Sequence, residues 1–149
     1  MRRALLLLGV LAACGGPAAP DSDLPPPGEF LRSLFFKPTR QVVLDEHDWE
    51  LAWPQLSGER SVPPKVDFVH SMVLIAALGE RPTSGYFVTI RDARIISGGR
   101  LAAVVDESIP GPGCAALPVT TAPAIAAVVP RVTADDVVLS ESVHTRQCR

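Results

Sequence analysis

The sequence predicts a mainly β fold of the α+β kind: one compact antiparallel sheet or sandwich carrying a single short helix. Three observations predict it. Hydrophobic residues make up 47% of the 149 residues and charged residues 20%, so most of the chain can bury one ordinary domain core. Fifteen prolines and eleven glycines punctuate the chain too often for a helical bundle. The apolar stretches between them are short, rich in β-branched residues, and recur at turn-separated intervals.

Arg40 to Leu44 reads as a short strand. Asp45-Glu46-His47-Asp48 then supplies a cap and acids where the helix dipole favours them. The helix is expected over Glu46 to Gln55, with Trp49, Leu51, Ala52, Trp53 and Leu56 as its apolar stripe and Pro54 closing it. The two Trp read as core anchors. Ser57 to Pro64 is a turn-rich connection, and Val66-Asp67-Phe68 leads into the apolar run Ser71 to Leu78. That run is continuous and bounded by Gly79, as suits a strand buried on both faces. In the next strand, Tyr86 to Ile95, alternation puts Phe87, Thr89, Arg91 and Ala93 on one face and Tyr86, Val88, Ile90 and Asp92 on the other. Ser97-Gly98-Gly99-Arg100 reads as a hairpin turn, with Leu101 to Val105 returning. Pro110-Gly111-Pro112-Gly113 breaks the pattern, and Ala124 to Val129 and Val137 to Val143 are the last strands.

The N-terminus reads as a targeting segment. Met1-Arg2-Arg3 is basic, and Ala4 to Ala13 is almost wholly apolar but about half the length that spans a bilayer. Leu11-Ala12-Ala13-Cys14 follows, with Gly15-Gly16 after it. This resembles a bacterial lipoprotein signal, in which the Cys, here Cys14, is lipidated and becomes the first mature residue. An ordinary secretory signal that ends near a Cys is the other reading. Each buried acyl methylene contributes about 0.8 kcal/mol, so several chains hold a protein on a membrane essentially permanently. Residues 15–29 are rich in Pro and offer almost nothing to bury, which makes a tether biased toward polyproline II. The expected organisation is therefore 1–13 signal peptide, 14–29 lipidated Cys and tether, and 30–149 folded domain. The expected location is the cell envelope, facing the periplasm or the cell surface.

Cysteine usage agrees with export. Beyond Cys14 only Cys114 and Cys148 remain, and two thiols in an oxidising compartment suggest one disulfide. It would close a loop of about 35 residues, for which chain entropy gives about 3.5–4 kcal/mol. A metal pair or two free thiols are the alternatives, and no CxxC or tight Cys/His spacing favours metal. No cofactor or metal is expected.

Several function classes are disfavoured. The formal net charge of −2 gives no basic nucleic-acid footprint, and 5% aromatics gives no stacking surface. No HExxH, GxSxG or phosphate loop is present, and His47, His70 and His144 are far apart in sequence. Asp67 and Glu107 could be drawn as paired carboxylates, but a turn hydrogen bond and a solvated charge explain them more simply. The chain is read as not an enzyme.

Four stretches resemble the PrcB-type family, named for a protease complex subunit. They are Asp48-Trp49-Glu50-Leu51-Ala52-Trp53, Val66-Asp67-Phe68, Leu78-Gly79-Glu80-Arg81-Pro82-Thr83-Ser84-Gly85-Tyr86, and Glu107 to Cys114 with Thr120-Thr121-Ala122-Pro123 after it. Ala124 stands where the family often has an aromatic residue. Family members are often exported or lipid-anchored, and the resemblance implies a role in a protease assembly. The third stretch carries a loop whose physics can be argued separately. Pro82 presets φ for a turn, Gly85 can take positive φ, and Thr83 and Ser84 can bond the turn backbone. The loop Arg81, Pro82, Thr83, Ser84, Gly85 and Tyr86 then reads either as a well-made hairpin loop or as an exposed recognition loop. It is also weakly similar to one loop of chagasin-type cysteine-protease inhibitors. The expected function is a non-catalytic, lipid-anchored binding module for a protein partner, an exported protease, with inhibition through loop 81–86 as the alternative.

Overall fold

The computed structural model describes residues 30–58 and 61–148. The first strand, β1 (Thr39–Val43), delivers the chain to the helix α1 (Glu46–Ser57). Asp45 caps that helix: its side chain accepts from the Asp48 backbone N–H at 2.9 Å, and Glu46 and Asp48 place acid in the first turn. The helix does not stop at Pro54, as the sequence suggested. It continues to Ser57, and Gly58 ends it in the left-handed region at φ 71, donating to the Pro54 carbonyl at 3.0 Å. Packing overrides the lost proline N–H, because Leu56 beyond it is fully buried. The buried stripe is Trp49, Ala52, Trp53 and Leu56; Leu51, expected within it, faces solvent.

Two three-stranded sheets follow. In the first, β2 (Ser71–Ala77) is paired antiparallel with β1 on one side and β5 (Ala124–Pro130) on the other. In the second, β4 (Leu101–Pro110) lies between β3 (Phe87–Ile95) and β6 (Val137–Arg146). The arrangement is a sandwich of two sheets with the helix as a third layer. It is not wholly antiparallel, since β4 and β6 run parallel over Leu101↔Val137 to Pro110↔Arg146. The cause is connectivity: between them the chain crosses to the first sheet, forms β5, and returns in the original direction.

The layering explains the continuous apolar run of β2. Val73, Ile75 and Ala77 pack with Trp49, Trp53, Leu56 and Phe30 on the helix side. Met72 and Leu74 meet Leu101 and Ala103 of the second sheet, while Ala76 and Leu78 meet Val88 and Val105. β5 divides likewise, with Ala124 and Ala126 under the helix and Ile125 and Val129 between the sheets. The small alanines leave room for the indoles, which meet edge-on at 5.3 Å, with Phe30 5.7 Å from Trp53. Where β1 and β6 form the open side, Arg40 pairs with Glu141 at 3.0 Å across the sheets.

Two further expectations change. Strict alternation along β3 fails at Asp92, which takes φ 57 where the register shifts between Arg91 and Arg94. This bulge turns Ala93 to the inter-sheet core beside Ile90 rather than to the face of Phe87. Also, β2 and β3 belong to different sheets, so loop 81–86 is a crossing between sheets and not a hairpin. Both edges of β2 are already occupied by β1 and β5. The true hairpin is at Gly98 and Gly99, both at positive φ, with Ile96 N–H donating to Arg100 at 2.7 Å.

Candidate functional site

The loop leaves β2 through Leu78, fully buried, and Gly79, at φ 76. A Cβ at Gly79 would stand 2.9 Å from the Lys37 carbonyl carbon and the Pro38 nitrogen, so the turn requires glycine. Arg81 then pairs its backbone with Thr121 in both directions, at 2.8 and 3.0 Å. The Thr121 hydroxyl donates to the Thr83 carbonyl at 3.0 Å. Ser84 accepts at its hydroxyl from the Leu117 N–H at 2.9 Å and donates its own N–H to the Leu117 carbonyl at 3.0 Å. Segment 117–121 thus straps the loop along its length. The Ser84 hydroxyl, expected to bond within its own turn, bonds to this strap instead.

The side chains are more engaged than the sequence suggested. The Arg81 guanidinium meets the Glu107 carboxylate at 2.9 Å, with 23% and 19% of the two side chains exposed. It also lies 5.7 Å above the Tyr86 ring. Glu107 is therefore a half-buried ion-pair partner, not a solvated charge. Tyr86 is half-buried against Ala76, Leu78 and Val88. Pro82 faces solvent, and Gly85 takes φ 95. Asp67 is remote from Glu107's pair: it bonds the His70 ring at 2.8 Å and accepts from the Val69 N–H, which hold its carboxyl below the usual range. No shared carboxylate site forms.

Sequence reasoning missed what flanks the loop. Leu34 and Phe36 on one side and Leu117 and Val119 on the other are 48%, 60%, 65% and 48% exposed, an apolar rim on a surface otherwise tied down by hydrogen bonds. A shallow groove of about 250 Å³ runs beneath Leu34 and Phe36, with Thr120 and Thr121 in its lining and Arg32 and Glu80 beside it. The tandem Phe35-Phe36 was the available signal: alternate residues of an extended segment face opposite ways, and here Phe35 is buried while Phe36 is exposed.

The cysteines expected to pair do so: Cys114 and Cys148 form a disulfide, their Cα atoms 4.9 Å apart. Cys14 lies outside the described residues. The histidines stay apart, with His47 in α1, His70 before β2, and His144 on β6. His144 meets Asp106 at 3.2 Å on the outer face of the second sheet. The Ser142 hydroxyl, then His144 and Arg91, hold the Asp106 carboxyl below its usual range. Among the described residues no group of His, Cys, Asp or Glu is arranged to hold a metal ion, and no helix is long and apolar enough to cross a membrane.

Fold and site together define a class: a layered β sandwich that presents a braced loop with an apolar rim. The family model of the PrcB C-terminal domain matches residues 72–130, from the second residue of β2 to the end of β5, and this stretch is similar to that domain. The match contains the loop, Glu107 and the strap, and leaves the Asp48–Trp53 and Val66–Phe68 stretches outside it. Comparison with curated proteins and with solved structures returned no match.

Proposed function

We propose that this chain is a lipid-tethered, non-catalytic accessory subunit of an exported protease assembly. The observation that carries the reading is that the PrcB-like match takes in both the loop and the strap that braces it, beside four exposed apolar side chains. Family likeness supplies the association with a protease complex, and the exposed rim supplies a surface for it. A braced loop loses little entropy on docking, and a partner that covers Phe36 and Leu117 gains by removing them from water.

In this reading Cys14 carries the lipid, residues 15–29 are the tether, and the domain works in the cell envelope. Replacing Cys14 by Ser abolishes incorporation of labelled fatty acid; a variant that still labels overturns the anchor. Capture from detergent-solubilised envelope with the full chain tests the docking. The wild type retains a peptidase, and Phe36→Glu with Leu117→Glu loses it while the melting temperature holds. Retention by the double variant equal to wild type rejects this surface. A peptidase assay on the captured complex separates the accessory role, in which turnover persists, from inhibition through loop 81–86, in which it is suppressed.

A further inference from the structure

The C-terminal end of the chain reaches the loop through one side chain. β6 ends at Arg146, whose guanidinium lies over the Phe87 ring, 4.8 Å from its centroid. Its Nη2 donates to the Gly85 carbonyl at 3.4 Å. Its Nε is buried and has no hydrogen-bond partner among the described residues. Among the described residues no carboxylate pairs with this cation, so its position depends on the backbone that carries it.

That backbone is fixed at two adjacent points. The Arg146 carbonyl accepts from the Gly111 N–H at 3.1 Å, and two residues further Cys148 is bonded to Cys114. The approach is close: a Cβ on Gly111 would stand 2.4 Å from the Arg146 carbonyl oxygen. A Cβ on Gly85 would stand 3.2 Å from the Pro110 Cβ and 3.7 Å from the Arg146 Nη2. Three segments, 85–87, 110–114 and 146–148, therefore meet at one junction, and the Cys114–Cys148 bond ties the last to the second covalently.

We propose that the C-terminal tail is the latch of loop 81–86: Arg146 is the positioning residue, and the Cys114–Cys148 bond is the catch that keeps it in place. The role of the loop in docking rests on the reading above; the latch itself does not. The catch is opened by a dithiol. One thiolate attacks a sulfur of the pair to give a mixed disulfide, and the second thiol resolves it. The Cys114–Cys148 bond breaks, two electrons and two protons pass to the cysteines, and the dithiol leaves as its own disulfide. With the catch open, Arg146 leaves Phe87 and the Gly85 end of the loop loosens, while β2 and β4 stay packed.

Hydrogen exchange followed by mass spectrometry on the full chain tests this without any partner. Arg146→Ala and Cys148→Ser each raise exchange in peptides covering 84–87 by about tenfold, with 72–77 unchanged. The double variant exchanges no faster than the faster single variant, because the two act in series. Dithiothreitol reproduces the effect in the wild type and adds nothing to Cys148→Ser. Wild-type exchange at 84–87 in Arg146→Ala, or full additivity in the double variant, overturns the latch. If Cys148→Ser loosens the strands as well, Arg146→Ala alone decides. Capture in parallel keeps the two readings apart: loosened loops with undiminished capture sustain the latch and reject loop docking.

Discussion

Arg81 is held at both ends, its backbone by Thr121 and its guanidinium by Glu107 at 2.9 Å. About four-fifths of each side chain is covered, so removing one partner leaves a poorly solvated charge behind. Arg81→Ala is therefore expected to lower stability by about 1–2 kcal/mol, where a free surface arginine would change little. Glu107→Gln costs a similar amount, and the double variant costs less than the sum, as urea midpoints would show; additive losses mean the pair is not coupled. Asp106 gives a second test, through pH. Its carboxyl is lowered by the Ser142 hydroxyl, His144 and Arg91, so the folded state holds its proton less tightly than the unfolded chain. The stability it contributes is complete above the ordinary carboxylate pKa of about 3.9 and is lost as pH falls through the lower folded value. Asp106→Asn is expected to cost about 1 kcal/mol at neutral pH and progressively less at acid pH, as the folded-state carboxyl takes up its proton, flattening the acid limb of the stability curve. A loss that is the same at neutral and acid pH would assign the effect to packing.

At the scale of elements, α1 shows which signals act locally. Asp45 caps it with a 2.9 Å bond to the Asp48 N–H, and Asp45→Ala is expected to cost about 1 kcal/mol. Asp45→Asn retains an acceptor and costs much less, and thermal melts of the two variants check the difference. Caps, the Gly98-Gly99 turn and the apolar run of β2 were legible because each is written within a few adjacent residues. The direction of β6 was not, since alternation fixes which face a residue takes and says nothing of whether its strand runs parallel or antiparallel to a neighbour. The bulge at Asp92 was hidden for the same reason: nothing in Arg91-Asp92-Ala93 marks where the alternation slips. Loop 81–86 was found, but its strap was not. Arg81 and Thr121 are far apart in sequence, and short-range patterning does not encode which segments pair. Exposure of Leu117 and Phe36 followed from that pairing and was equally unreadable. Arg146 was missed because a lone arginine in a strand carries no mark of the ring it will cover.

At the scale of the molecule, the three layers share one strand. β2 packs Val73, Ile75 and Ala77 against the helix and Met72, Leu74 and Ala76 against the second sheet, with backbone partners on both edges. Such a strand cannot move toward one layer without leaving the other, so a cavity beside it does not collapse. Leu74 is 1% exposed and meets the second sheet. Leu74→Ala is therefore expected to cost toward the upper end of the 2–5 kcal/mol known for such changes, against less than about 0.5 kcal/mol for the exposed Leu51→Ala. The sharing of β2 also predicts how the loss is distributed. Trp49 and Trp53 are the chain's two tryptophans, and both sit in the helix layer, on the opposite face of the first sheet from Leu74. Their fluorescence in urea should nevertheless shift to the same lower midpoint as far-UV circular dichroism, with the slope unchanged. A tryptophan transition that stays at the wild-type midpoint while the dichroism moves would show that the helix layer unfolds separately, and that β2 does not join the layers into one cooperative unit.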